Sequence, residues 1–297
     1  MNMLNIKKLD KTYDGKTYAL KSMNLTITNG MFGILGRNGS GKSTLMNIIA
    51  TILTPSNGTL TINDISIREP QKIRKMTGYL PQDFDFYPNM KVLDVLYYLG
   101  FVSKMSKKDL DFKIEKVLNK VNLTERKYKK VKSLSGGMKK RLGIEQAILH
   151  NPDIIIVDEP TAGLDPEERI RLRQLLSKLA EDKIVLISTH IVSDIESTCD
   201  NIGILEKGQL VYQGNINEFI RLSDNYVYEI TISPSQLEYF KKNDLFITKI
   251  HEFNNQLTVK FISIAIIDGS RKVKPDFEDA YMYFLKKYQG GFFNECT

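Results

Sequence analysis

Residues 23–28 (Met-Asn-Leu-Thr-Ile-Thr) alternate apolar and polar, the pattern of a half-buried strand, and Asn29-Gly30 then turns the chain. Met31 to Leu35 forms a short apolar strand that runs straight into glycine-rich sequence. From Ser43 to about Leu53 the apolar residues Leu45, Ile48, Ile49 and Ile52 recur at helical spacing. Pro55-Ser56-Asn57-Gly58 ends that helix and starts a further strand pair. Residues 92–149 are mostly helical in pattern, as at Leu110, Ile114, Val117 and Val121. Asn151-Pro152 stops this region, because a residue before proline is pushed out of helical geometry. Ile154-Ile155-Ile156-Val157 is a continuous β-branched run, suited to a strand covered on both faces of a parallel sheet. Asp165, Pro166 and Glu168 predict a helix start, with an N-cap, a proline at N1 and an acid at N3. A strand over 184–187 and a hairpin over 202–213, turning at Lys207-Gly208, complete this part of the chain.

After Gly214 the pattern changes. Strands are predicted over 226–232 and 246–262, the latter turning at Asn254-Asn255, and a helix follows Pro275 and ends near Tyr288. The expected organisation is a large α/β domain over residues 1–214, with a helical subdomain at about 88–149, and a small α+β appendage over 215–297.

Composition narrows the class. Apolar residues make up 42% and charged residues 26% of the 297, a balance that supports a packed core. No apolar stretch approaches the roughly 18 residues that a membrane-spanning helix needs. The start, Met1-Asn2-Met3-Leu4-Asn5-Ile6-Lys7, lacks the apolar core of a signal peptide, so the protein is expected to stay where it is made. Cys199 and Cys296 lie far apart and suggest neither a disulfide framework nor a zinc site. His150, His190 and His251 are too scattered for a metal cluster. The net charge of +7 has local sources, Lys104, Lys107 and Lys108, then Arg126 to Lys132, which read as solvated faces of the helical region.

Gly36-Arg37-Asn38-Gly39-Ser40-Gly41-Lys42-Ser43 fits the P-loop pattern between a strand and a helix. Glycines let successive N–H groups point at one phosphate chain, and the helix that follows adds its positive end. Lys42 supplies a cation for the β/γ-phosphates and the Ser43 hydroxyl a ligand for Mg²⁺, with Thr44 next in the helix. Asp158-Glu159 stands at the carboxyl end of the buried strand, where ligands sit in open α/β sheets. There Asp158 suits a Mg²⁺ water shell, and Glu159 suits a base that orients the attacking water.

Leu134-Ser135-Gly136-Gly137-Met138, just ahead of the Asp-Glu strand, resembles the signature motif of the ABC ATPases. The resemblance covers roughly residues 1–214 and implies a P-loop NTPase of the ABC type: a RecA-like core, an antiparallel β subdomain and a helical subdomain. In that family two subunits dimerise head to tail around two ATP molecules. Ser135, Gly136 and Gly137 of one subunit then clamp the γ-phosphate held by the other's P-loop. By the same resemblance Tyr13, ahead of the strand at 23–28, is the residue that stacks on adenine. Gln82, after Tyr79-Leu80-Pro81, is the Q-loop glutamine that senses Mg²⁺ and water. Ala162-Gly163-Leu164-Asp165 is the D-loop, and His190, after Ser188-Thr189, is the histidine that contacts the γ-phosphate. Met138 stands where many members have Gln, as in exporters of the ABC-2 type that include drug and bacteriocin self-protection systems. That group also carries a C-terminal appendage with a helix start like Lys274-Pro275-Asp276-Phe277-Glu278-Asp279.

The resemblance implies ATP and Mg²⁺ as cofactors and an integral-membrane permease as partner. It also implies a homodimer or heterodimer of ATPase subunits, and a place on the cytoplasmic face of the cell membrane. Phe84, Phe86 and Tyr87, which follow Gln82, are expected to line or border the groove that receives the permease. Members that act on ribosomes usually carry two ATPase domains in one chain, and this chain has one. Members that act on DNA insert coiled coils or zinc sites between P-loop and signature, and neither is read here, so no nucleic-acid partner is expected. An importer ATPase is the other alternative; Met138 and the appendage weigh against it.

Overall fold

The computed structural model describes residues 1–238 and 245–290, which separate into two compact units, Met1–Gln213 and Gly214–Thr297. Cys296 lies outside the described residues.

The first unit holds two sheets. The antiparallel one has the order β2-β1-β4-β5, with β1 Met3–Thr12, β2 Tyr18–Thr28, β4 Asn57–Ile62 and β5 Ile65–Ser66. The second has the order β10-β9-β3-β8-β7-β6. It is built from β3 Gly30–Leu35, β6 Thr77–Leu80, β7 Ile154–Asp158, β8 Ile184–Thr189, β9 Asn201–Glu206 and β10 Gln209–Asn215. The strands from β9 through β3, β8 and β7 to β6 run parallel. Every residue of β7 and β8 is buried, the burial that their unbroken Ile/Val/Leu runs require.

Helix α1 (Lys42–Ile49) buries Leu45, Ile48 and Ile49 in a core that takes Leu4, Ile6 and Leu25 from the antiparallel sheet and Ile34, Ile154 and Ile184 from the parallel one. Burying a Leu or Ile in this way contributes about 1.5–3 kcal/mol each, so this packing fixes the helix that begins at the P-loop. The helix is shorter than its apolar spacing predicts: Thr51 takes a left-handed φ of 60° and Ile52 is left 60% exposed. Helices α2 (Pro70–Met76), α3 (Val92–Val102), α4 (Lys107–Lys120), α5 (Gly136–Ile148), α6 (Pro166–Ala180) and α7 (Val192–Glu196) complete the unit.

The second unit contains α8 (Ile216–Arg221), α9 (Phe277–Tyr288) and a sheet of order β12-β13-β11-β14. Its strands are β11 Val227–Ile232, β12 Phe246–Phe253, β13 Gln256–Ile262 and β14 Arg271–Lys272. Asn254 and Asn255, with φ of 48° and 62°, make the β12–β13 turn, a geometry that asparagine tolerates. The start of α9 is closed by a capping box between Asp276 and Asp279. Lys249 donates to Asp276 at 2.6 Å, and Lys260 bonds both Asp276, at 3.2 Å, and the fully buried Asp279.

Candidate functional site

The glycine-rich loop joins β3 to α1 and is held from several sides. Gly39 and Gly41 take φ of 80° and 107°, left-handed values that cost glycine little. Gly36 is packed so closely that a Cβ there would lie 2.4 Å from the Leu205 carbonyl oxygen. Ser40 N–H donates to Arg37 O at 3.1 Å, and Gly208 N–H donates to Ser40 O at 2.9 Å, so the β9–β10 turn anchors the loop. Arg37, Asn38 and Gly39 are exposed, whereas Ser40 is buried with its hydroxyl oxygen unpartnered. A buried, unmatched hydroxyl in a cradle of this shape suits an anionic ligand.

Lys42 is buried, and its Nζ donates to Gly36 O at 2.8 Å and Arg37 O at 3.2 Å. It stands 3.9 Å from Glu159 Oε1. Burial pulls its pKa down, and the nearby carboxyls of Glu159 and Asp158 oppose that shift. Ser43 is exposed at the first turn of α1, and Thr44 beside it is half-buried.

Asp158 ends β7 and Glu159 follows it; both are buried. Ser188 Oγ, on the neighbouring β8, donates to Asp158. Glu159 adopts φ 49°, a strained backbone for a residue with a side chain. Its N–H donates to Ser188 O at 3.0 Å, and His190 Nδ1 lies 2.9 Å from both of its carboxyl oxygens. Three sequence-distant residues, Lys42, Glu159 and His190, are thus brought together at the carboxyl ends of β3, β7 and β8.

Tyr13 lies after β1, not ahead of the first strand, because residues 3–12 already form a strand. Leu4 and Ile6 alternate inward, but a register shift before Leu9 and a left-handed Lys8 break the period and hide this strand from pattern reading. The Tyr13 ring is 66% exposed, its hydroxyl lies 3.3 Å from Thr44 Oγ1, and Lys11 Nζ sits 5.3 Å from the ring centroid. The ring therefore stands beside the P-loop helix with aromatic surface free.

Ser135 is the N-cap of α5, its Oγ accepting from Met138 N–H at 3.2 Å, and Gly136 is exposed with open space around it. Gly137 is crowded: a Cβ there would meet Glu168 Oε2 at 2.5 Å. Asp165 caps α6 by accepting from Glu168 N–H at 2.9 Å, and Arg141 pairs with Glu168 at 3.4 Å. The starts of α5 and α6 are thereby locked to one another, which groups Ser135, Gly136, Gly137 and Asp165 as a second constellation.

Gln82 is exposed after β6 and lines an open groove of about 510 Å³ with Asp83, Phe84, Phe86, Gly136, Lys139 and Lys140. Phe84 and Phe86 are half-buried and meet edge to face with centroids 5.6 Å apart. Tyr87 does not share that groove. It lines a separate depression with Pro88, Met90 and Tyr98. Sequence reading also passed over Lys140, whose Nζ donates to the carbonyls of Glu159, Pro160 and Ala162. His150 is half-buried, its Nε2 3.2 Å from Thr77 O, and His251 is exposed on β12. Cys199 is buried, and burial pushes its thiol up to about 12.

Ser43, Gln82 and Asp158 offer a hydroxyl, an amide oxygen and a carboxyl, the hard oxygen donors that suit Mg²⁺. Among the described residues no cluster of three or more His, Cys, Asp or Glu side chains is placed to hold a metal.

A glycine cradle on the turn from β3 to α1, a buried lysine and an Asp-Glu pair at the end of β7, one strand removed in the same sheet, define a P-loop nucleotide-binding core. The ABC transporter family model matches residues 20–162. The ABC transporter ATP-binding protein YxlF of Bacillus subtilis is 34% identical over 231 residues, 77% of each chain. The linearmycin resistance ATP-binding protein LnrL of the same organism is 32% identical, covering 78% of this chain and 75% of its own. The dimeric structure of MJ0796, a bacterial ABC transporter cassette, superposes with a TM-score of 0.64 at 31% identity, over 71% of this chain and 98% of that one. The same cassette has been solved in a post-hydrolysis state bound to ADP and Pi. The chain belongs to the ABC transporter ATP-binding proteins, and it is an ATP-binding ABC ATPase.

Proposed function

We propose that this ATPase drives export of a substrate through a separate integral-membrane permease, working on the inner face of the cell membrane. The observation that carries the hydrolytic part is the meeting of Lys42, Glu159 and His190 beside Asp158. Gly36 to Thr44 cradle the phosphates, and Tyr13 stacks on adenine. Ser43, Gln82 and, through water, Asp158 hold Mg²⁺, which neutralises phosphate charge when bound. Glu159 orients and deprotonates the attacking water, and His190 contacts the γ-phosphate while keeping Glu159 in place. Two subunits close head to tail, so that Ser135, Gly136, Gly137 and Asp165 of one complete the site on the other. Phe84 and Phe86 offer the permease apolar anchors in the groove beside Gln82. The export direction rests on Met138 and on the likeness to LnrL, whose name links it to linearmycin resistance.

Purification of the tagged protein from detergent-solubilised membranes tests the assignment. A multi-span protein is expected to come with it; ribosomes or DNA in its place would overturn the transport reading. Outward, ATP-dependent movement of cargo in vesicles holding both subunits tests the direction.

A further inference from the structure

Lys140 lies in the second turn of α5, is half-buried, and belongs to none of the motifs read from the sequence. Its Nζ donates to Ala162 O at 2.6 Å, Pro160 O at 2.9 Å and Glu159 O at 3.3 Å. An ammonium has three N–H donors, and these three carbonyls match them. Placing a cation on a half-buried turn is costly, and the carbonyl oxygens offset the lost water. The same side chain forms part of the groove wall beside Gln82.

The turn it holds carries strain. Glu159 sits at φ 49°, a conformation that persists only where the surroundings over-determine it. From the β8 side, Ser188 O accepts the Glu159 N–H. On the other side, the Glu159 carbonyl receives Lys140 Nζ and, at 3.4 Å, the Ala162 N–H. Relaxation of this backbone would carry the Glu159 side chain with it and re-aim a carboxyl that now lies 2.9 Å from His190 Nδ1 and 3.9 Å from Lys42 Nζ.

We propose that Lys140 is a positioning residue for ATP hydrolysis, its ammonium clamping the Glu159-to-Ala162 turn so that the Glu159 carboxyl is aimed at the attacking water. The inference rests on the reading of Glu159 as the base, and the experiment keeps the two separable. Lys140→Met retains the apolar stem and removes the donors; Lys140→Arg restores donors on a similar stem. ATP turnover and the affinity for a fluorescent ATP analogue are measured on the full chain with Mg²⁺, alongside Glu159→Gln and the Lys140→Met/Glu159→Gln pair.

Misplacing a reacting group by about 1 Å costs up to about 100-fold. Lys140→Met should therefore lower kcat roughly 10- to 100-fold, with nucleotide affinity within about twofold of wild type. Lys140→Arg should recover most of the rate, and adding Lys140→Met to Glu159→Gln should cost little more, since both act through one carboxyl. Wild-type kcat in Lys140→Met, or rate and affinity lost together without rescue by Arg, overturns the proposal. Full turnover in Glu159→Gln overturns the base assignment instead. Should Lys140→Met melt early, Lys140→Gln keeps two donors without the charge and is judged by the same division between kcat and affinity.

Discussion

His190 Nδ1 lies at equal distances, 2.9 Å, from the two carboxyl oxygens of Glu159. A ring nitrogen centred on a carboxyl fixes its rotation and leaves further lone pairs on both oxygens for a water. Glu159→Gln should keep ATP binding and lower hydrolysis by about 10²–10⁴-fold, the usual contribution of a general base. His190→Ala should lower the rate as well, through lost aim and lost γ-phosphate contact. Phosphate release and nucleotide affinity, measured together, check both; near-normal turnover of Glu159→Gln removes it from the base role.

The two constellations, one around Lys42 and the other at the starts of α5 and α6, predict separable defects. Lys42→Ala should abolish nucleotide binding, since the buried cation is lost from the cradle. Ser135→Arg should leave binding by the monomer intact and block ATP-dependent dimerisation, read by size-exclusion chromatography with light scattering. A Ser135→Arg protein that dimerises and hydrolyses normally would mean that the signature does not act in trans.

Tyr13 is exposed yet held by Thr44 at its hydroxyl and by Lys11 near its ring. Tyr13→Ala should weaken ATP affinity by about 5- to 160-fold, the range for loss of a base–aromatic stack worth about 1–3 kcal/mol. Tyr13→Phe should stay close to wild type. Titration with a fluorescent ATP analogue decides this, and an unchanged affinity in Tyr13→Ala would return the ring to a packing role.

Phe84 abuts Gly143, where a Cβ would meet its ring at 2.9 Å, so this aromatic is part anchor and part packing. Phe86→Ala is therefore the cleaner probe of the groove. It should weaken co-purification of the permease and uncouple export while the isolated subunit still binds ATP. Tyr87→Ala should have the smaller effect, since Tyr87 faces a separate depression.

Asp279 is fully buried against Lys260. Lys260→Met should destabilise the C-terminal unit by about 3 kcal/mol, because removing one partner leaves the other polar and buried. Burial pushes Asp276 upward, but hydrogen bonds from Lys249, from the Asp279 backbone and from Lys260 outweigh it and hold its carboxyl well below the usual range. Its contribution is complete above about pH 4, its unfolded value, and is lost as pH falls through the folded one. Lys249 is raised chiefly by the Asp276 hydrogen bond; burial works against Lys260, yet Asp279 and Asp276 raise it too. Those contributions are complete below about pH 10.4 and are lost as pH rises through the folded values. Thermal unfolding followed by circular dichroism across pH should show a plateau between these limits, lower in Lys260→Met.

Legibility in the sequence followed the strength of local signals. The strand-loop-helix from β3 to α1 is readable because apolar period, glycines and helix start coincide within a few residues. The Asp165 cap and the Asn254-Asn255 turn are readable because each residue type has one local use there. Strand β1 escapes because its bulge breaks the period, and β6 because four residues, Thr77 to Leu80, carry no pattern of their own. Lys140 is invisible for a different reason: among Lys139, Lys140 and Arg141, composition cannot tell which cation reaches the turn after Glu159. Tertiary packing alone makes that choice, as it does for Gly137 against Glu168.

The lysine latch at the start of α9 has a genetic corollary. A stop codon between β14 and α9 would leave the sheet intact in sequence but remove Asp276 and Asp279, which neutralise Lys260, and Tyr283, which covers Val227 and Ile262. The remnant would carry an unpaired, poorly hydrated ammonium on β13 beside bare apolar strands, the kind of surface that quality-control proteases seize. Late frameshifts in this gene should therefore behave like loss of the whole accessory unit, not like the trimming of a tail.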